Sequence, residues 1–439
     1  MSKIPRRRFI GSAGAIAACS LLGHGCVSST QQTIQSVSYG ASASDELEVK
    51  RVRLGFIPLT DAAPLIIALE KGFFHKHGLT EAKLVRQASW ESTRNNLVRG
   101  SAAGGIDGAH ILSPMPYLMS AGTITSNRPL AMNILARLNL NGQGISLANI
   151  YRTVSFGVTS KVLKEKVEQA KNNGPGRRLK IAMTFPGGNH DLWIRYWLAA
   201  GGINPDKDVA MFSVPPSQMI ANLKTGTIHM LCVGEPWNAR IIRQNVGFSA
   251  LTTGELWLDH PEKALAMRAD WVERYPRAAK AVLMAVLEAQ MWCDEMANRK
   301  EMCQIVSARK YFNVPVKDIL ERTKGNFDFG NGQVLMNSPS RIKFWQNSAS
   351  YPYQSHDLWF LMENIRWGYL PPDTNTQGLI NRVNREDLWR EAARAIGQER
   401  AIPPTTSRGF ETFYDGVRFD PKNPSAYLNS LLIKSIKHD

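Results

Sequence analysis

The chain has 439 residues, with 53 Lys and Arg against 37 Asp and Glu, for a formal charge of +16. Hydrophobic residues make up 44%, enough to bury a core, which excludes wholesale disorder. So basic a balance admits nucleic acid, an anionic membrane or a small anion as partner, and says nothing about fold.

The first element is an address label. Lys3, Arg6-Arg7-Arg8 and Phe9-Ile10 precede an apolar run of small residues that ends at Leu22. That run is too short for the roughly 20 residues that span a bilayer. A basic segment followed by a short apolar one is an export signal. The Arg6–Ile10 pattern resembles a twin-arginine signal, with Pro5 standing where a small polar residue is usual. Leu21-Leu22-Gly23-His24-Gly25-Cys26 resembles a lipoprotein cleavage site that would lipidate Cys26. Cys19, after Ile16-Ala17-Ala18, is the alternative, and a plain cleaved signal with a soluble product is another. Removing residues 1–25 takes out Lys3, Arg6, Arg7 and Arg8 and no acidic residue, so +16 becomes +12. The remaining Lys and Arg are scattered among Asp and Glu, the pattern of a solvated surface rather than of a nucleic-acid stripe.

Alternating strands and helices follow. Val52, Leu54 and Phe56 share one face of a strand over 51–57, and a helix with Pro64 in its first turn follows Thr60-Asp61. Residues 91–99 and 115–121 read as helices, and 105–111 and 132–138 as strands. A second set has helices over 160–171, 191–200, 217–225 and 237–244, with strands over 179–185, 209–214 and 228–233. Gly187-Gly188 opens the 191–200 helix, leaving backbone N–H groups that could face an anion. Residues 276–298 carry a long apolar stripe, and 299–311 adds another helix. The tail after 330 is rich in Trp, Tyr, Asn and Pro and reads as irregular wrapping with one helix near 385–396. No later apolar run is long enough for a membrane helix.

Such alternation predicts an α/β fold with mostly parallel sheets covered by helices. Loops near 145–155 and 245–255 separate two sets. The expected organisation is therefore an export signal (1–25), a Ser/Thr/Gln-rich tether (26–50), lobe 1 (51–148 plus 250–439) and lobe 2 (149–249), with a ligand cleft between the lobes. Cys232 sits in an apolar strand. Cys293 and Cys303 are either bridged or free, and no C-x-x-C pair supports a zinc or redox site. Phosphate-loop, G-x-S-x-G and H-E-x-x-H motifs are all missing, which favours a binding role and gives no reason to expect a cofactor or metal.

Several stretches are specific. Asp61-Ala62-Ala63-Pro64-Leu65, Glu70-Lys71-Gly72-Phe73-Phe74 and His77-Gly78-Leu79 resemble the first βα unit of solute-binding proteins of ABC transporters. Gln87-Ala88-Ser89-Trp90, the Gly105–Ile111 stretch, Asn141-Gly142-Gln143-Gly144, the Thr184–Asp191 stretch, Cys232-Val233-Gly234-Glu235-Pro236-Trp237 and the Asp259–Ala264 stretch narrow this. With Glu363–Gly368 and Asn384–Arg390 in the tail, they resemble the nitrate- and bicarbonate-binding lipoproteins of cyanobacterial-type ABC transporters over nearly all of 51–433.

That resemblance implies a two-lobed clamp of the periplasmic-binding-protein type (type II) that closes on one small anion. Its expected anion contacts are Trp90, Gln143, His190 and Lys263. The implied partners are nitrate, with nitrite as second ligand, an ABC permease and ATPase, and the membrane through an N-terminal lipid; the implied protein is a periplasmic monomer that binds no nucleic acid. The chemistry suits the residues. Nitrate carries one negative charge and accepts hydrogen bonds without donating any. Lys263 offers a compact cation and Trp90, Gln143 and His190 offer neutral donors. Bicarbonate has one O–H and would gain from an acidic residue where this chain has Lys263. Taken singly, Trp90 reads equally well as core, Gln143 as a loop residue, His190 as a helix N-terminal group and Lys263 as a solvated cation. A bicarbonate binder, or an exported enzyme on the same scaffold, is the alternative.

Overall fold

A computed structural model describes residues 46–154 and 156–435. The export signal, its twin-arginine character and the choice between Cys19 and Cys26 lie outside these residues. Along the chain run β1 (Arg51–Phe56), β2 (Glu81–Arg86), β3 (Gly108–Leu112), β4 (Met132–Arg137), β5 (Gln143–Ala148), β6 (Lys180–Met183), β7 (Ala210–Ser213), β8 (Met230–Gly234), β9 (Gly247–Thr252) and β10 (Lys263–Arg268). They form two five-stranded sheets, ordered β2-β1-β3-β10-β4 and β7-β6-β8-β5-β9. Helices flank both, giving the expected two-lobed α/β clamp.

The two sheets share one plan. In each, a parallel trio is followed by a single reversed strand: β10 lies antiparallel to β3 and β4, and β5 antiparallel to β8 and β9. The reversed strand is the one the chain makes directly after crossing from the other lobe. The crossings occupy residues 138–142 and 253–262, so the expected boundaries at 148/149 and 249/250 are displaced. β5 and β9 both belong to the second sheet, which draws on residues 143–252. The loops expected at 145–155 and 245–255 are therefore partly strand.

Each crossing turns through the left-handed region, at Asn141 (φ 57°) and Gly142 (φ 95°) in one and Asp259 (φ 58°) in the other. Asn and Asp tolerate that region better than most residues, and Gly has no Cβ to strain there. The crossings are tied together. Asn141 Nδ2 donates to Asp259 Oδ1 at 3.1 Å, and the Asp259 amide donates back to Asn141 Oδ1 at 2.9 Å.

Helix Pro276–Asp294 buries its Ala, Val and Leu stripe against helix Ala63–Glu70 behind the first sheet. The tail is more helical than expected, with Gln354–Arg366, Thr376–Val383 and Pro424–Ser430 beside the anticipated Glu386–Ala395. Helix Gln354–Arg366 runs through the interior. Its Asp357 pairs with Arg137 of β4 in a fully buried ion pair, and Asn384 Nδ2 donates to the same carboxylate at 2.6 Å. Trp359 stacks on Trp193 with ring centroids 4.9 Å apart, which brings the tail up behind the inter-lobe junction. Cys232, Cys293 and Cys303 are buried free thiols. Among the described residues, no helix is long and apolar enough to cross a membrane.

Candidate functional site

The ends of both reversed strands meet between the lobes. Gln143 opens β5 and Lys263 opens β10. Trp90 is the first residue of helix Trp90–Arg99, whose start is capped by the Ser89 hydroxyl accepting the Ser92 amide at 3.0 Å. His190 lies in the first turn of helix Asn189–Ala200. The structure brings all four into one cluster. None is more than 1% exposed.

Lys263 is the electrostatic centre. Its ammonium lies 3.1 Å from Asp61 Oδ2 and 2.8 Å from Glu262 Oε2, and 5.9 Å from the centre of the Trp90 ring. A lone buried ammonium would lose its proton. Burial alone would lower the Lys263 pKa, but the two carboxylates outweigh it and hold the group charged. Asp61 shows the converse: burial would raise it, yet Lys263 and His110 keep it well below the usual carboxylate range. It accepts from His110 Nε2 at 2.6 Å, from Gln143 Nε2 at 3.1 Å and from Lys263. Glu262 is less well held. Trp193 Nε1 donates to its Oε1 at 2.7 Å and Lys263 to its Oε2, and burial pushes its carboxyl up to about 7.

The second lobe contributes no charge here. Gln143 spends one amide hydrogen on Asp61, so its oxygen is the acceptor that faces His190 Nε2 at 2.5 Å. His190 therefore carries its hydrogen on Nε2, and its Nδ1 accepts from the Thr184 hydroxyl at 2.5 Å. Burial, reinforced by Lys263, drives its pKa well down and keeps it neutral. The single N–H of His190 is thus committed to Gln143, and in this arrangement His190 positions Gln143 instead of offering a free donor. The amides of Gly187 and Gly188, which could have faced an anion, are also engaged, by Asp191 Oδ2 at 2.8 Å and Phe185 O at 3.1 Å. What the glycine at 188 allows is close approach: a Cβ there would sit 2.5 Å from Leu112 Cδ1 of the first lobe.

Three N–H donors remain uncommitted. Trp90 Nε1 is buried with no partner. Lys263 has a third hydrogen, and Gln143 a second amide hydrogen. A buried donor left without an acceptor costs about 1–3 kcal/mol, so an orphan indole N–H beside an ammonium marks a place for an acceptor to arrive. Three such donors, one of them the ammonium, match in number the three oxygens of a planar anion. Two grooves flank the cluster along the lobe boundary. One, of about 680 Å³, is lined by Ser89, Thr184, Pro186 and Tyr369 among others, and the other, of about 360 Å³, by Ile57, Gln87, Pro216 and Trp237 among others. Among the described residues, no group of three or more His, Cys, Asp or Glu side chains is placed to hold a metal ion.

Asp61, His110, Glu262, Thr184 and Trp193 were not among the expected site residues. Asp61 had the appearance of a helix cap, yet its side chain caps nothing. The signal that could have found Asp61 and Glu262 is electroneutrality: a Lys committed to a closed cleft needs carboxylates beside it. Glu235 and Trp237 stay outside the cluster, Glu235 being paired with Arg322 at 2.7 Å.

Two lobes closed over a buried polar junction define a solute-binding protein of the periplasmic-binding-protein fold. A model of the NMT1-like family matches residues 45–307, and the chain belongs to that family. It is 56% identical over 447 residues to the nitrate/nitrite binding protein NrtA of Nostoc sp., covering 99% of this chain and all of that one. It is 44% identical to the bicarbonate-binding protein CmpA of a Synechococcus species, covering 98% of each. The crystal structure of the periplasmic nitrate-binding protein NrtA from Synechocystis superposes with a TM-score of 0.86 at 57% identity, covering 88% of this chain and all of that one.

Proposed function

We propose that the chain is the nitrate-binding component of an ABC import system, with nitrite as second ligand. It captures the anion between its lobes and hands it to a permease. Trp90, Gln143 and Lys263 contact the anion, and His190, backed by Thr184, fixes the Gln143 amide. The observation that carries this reading is the unpartnered Trp90 N–H in a sealed junction whose Lys263 ammonium lies 5.9 Å from the centre of the Trp90 ring. The cluster is shut off from solvent, so loading requires the lobes to part about the crossings at 138–142 and 253–262. The lobes are then 51–137 with the segment from 263 onward, and 143–252. The protein retains its ligand unchanged and carries out no turnover. It is exported through the signal at residues 1–25, by the twin-arginine route, and held as a periplasmic monomer on the membrane by a lipid at Cys26.

Titration calorimetry with nitrate tests the site. Wild type binds one anion per chain, and Lys263→Glu, which sets a third carboxylate beside Asp61 and Glu262, weakens binding at least about 100-fold. Unchanged nitrate affinity in that variant sinks the assignment. One observation favours bicarbonate as the ligand instead: Glu262 is an acceptor that an O–H could use. Both acidic side chains are, however, engaged with Lys263, and identity to the nitrate/nitrite binding relative exceeds that to the bicarbonate-binding one. Heat on adding bicarbonate and none on adding nitrate would establish that second reading.

A further inference from the structure

The anion-site reading leaves a charge imbalance. With Asp61 and Glu262 ionised, Lys263 protonated and His110, His190 and His260 neutral, the buried cluster carries one net negative charge before any ligand arrives. A monovalent anion would bring it to two, around a single ammonium and out of contact with water. Buried charge without compensation is disfavoured strongly enough that a group changes its protonation instead.

We propose that Glu262 is a proton-binding site that fills together with the anion, so that each nitrate is captured with one proton taken from solvent. The geometry singles out Glu262. Asp61 accepts three N–H donors, from His110, Gln143 and Lys263, and protonating it would displace one of them. Glu262 accepts only two, and they fall on different oxygens. Trp193 keeps Oε1 as an acceptor in either state. A proton on Oε2 releases the ammonium 2.8 Å away, which turns to the anion, and makes Oε2 itself a donor. The other groups around Glu262 offer no rival. His260 Nδ1, 3.6 Å from Glu262 Oε1 in the preceding crossing, is driven by burial down to about 3, with Arg408 adding to the effect from the tail. His190 of helix Asn189–Ala200 and His110 of β3 are held neutral by burial, and Cys232 of β8 is pushed well up by burial and by Glu262. Asp191 is engaged by Arg195 at 2.8 Å and by the Gly187 amide. Lys263 is thus the one cation facing Glu262 among these groups, and the anion competes for it. The Glu262 carboxyl, already near 7 in this arrangement, rises further when an anion takes a share of that ammonium.

The inference rests on the anion-site reading, and calorimetry of the full chain separates the two. Nitrate is titrated at pH 8 in phosphate and in Tris, buffers of very different ionisation enthalpy. Close to one proton per anion is expected, seen as a buffer-dependent heat, and affinity falls about tenfold from pH 8 to pH 9. In Glu262→Gln, which keeps the acceptor for Trp193, the heats in the two buffers coincide and affinity no longer depends on pH over that range. Equal heats for wild type in the two buffers, with binding evident, overturn the proton site and leave the anion site standing. A buffer-dependent heat that survives Glu262→Gln overturns the choice of Glu262. No nitrate binding in either buffer, by heat or by tryptophan fluorescence, overturns the anion site and the proton site with it.

Discussion

The two sheets repeat one topology, yet they bring opposite chemistry to their junction. The first-lobe side supplies Asp61, Trp90, His110 and Lys263, with Glu262 just ahead of β10: one ammonium, two carboxylates and an orphan donor. The second-lobe side supplies Gln143, Thr184 and His190, all neutral. The difference separates two tasks. Under the proposed function the ionic half recognises the sign of the ligand, and its ammonium is paired with Asp61 and with Glu262 beside it in the chain, so it need not be stripped bare when the clamp opens. The neutral half reaches across the junction, through the Gln143–Asp61 hydrogen bond and the Trp193–Glu262 hydrogen bond.

Breaking the ionic half has the larger effect. Asp61→Asn sets an amide N–H against the Lys263 and Gln143 donors and removes one of the two carboxylates from a buried ammonium. A loss of about 3 kcal/mol in stability is expected, measured by denaturant unfolding. Asp61 is held below its unfolded value near ~3.9, so its contribution is complete above that pH and fades as the pH falls below it. The wild-type and Asp61→Asn curves should therefore begin to converge as the pH falls through about 4 and go on converging below pH 3. A gap that stays constant to pH 3 would show that Asp61 is not held as described.

Trp90→Phe sharpens the comparison without touching a charge. It deletes a buried donor that has no hydrogen-bond partner. Nitrate affinity should fall about tenfold, the value of one hydrogen bond to a charged group, while the thermal midpoint moves by no more than ~2 °C. A large fall in stability would make Trp90 a packing residue only. In the neutral half, Thr184→Val leaves His190 Nδ1 without its donor and loosens the hold on Gln143. The expected cost is the smallest, about threefold in affinity at unchanged stoichiometry.

How much of this could be read from sequence follows the same division. Strand β1 was legible because Val52, Leu54 and Phe56 share a buried face, and β4 and helix Met115–Ala121 because they are apolar runs between turn residues. The reversed strands were not. β5 begins inside Asn-Gly-Gln-Gly and β10 inside Pro-Glu-Lys, and both are buried along nearly their whole length while opening on a polar residue, so neither alternation nor an apolar start betrays them. Since Gln143 and Lys263 are the first residues of those strands, their burial was hidden with them. Helix Gln354–Arg366 escaped for a related reason: its polar residues, Asp357, Glu363 and Asn364, are buried beside its aromatics, so it has no one-sided stripe. The four expected site residues came from a motif resemblance, and the structure places them together. It could not reveal that the His190 N–H and the Gly187 and Gly188 amides are already spent, because that depends on partners distant in sequence.

The central claim is that the junction between these two halves takes a single planar anion. A crystal structure of the full chain soaked with nitrate tests it most directly. Flat, three-oxygen density is expected within hydrogen-bond distance of Lys263 Nζ and Trp90 Nε1, with Gln143 as third donor. An empty junction at saturating nitrate, or an anion bound with Trp90 Nε1 still unpartnered, would contradict it.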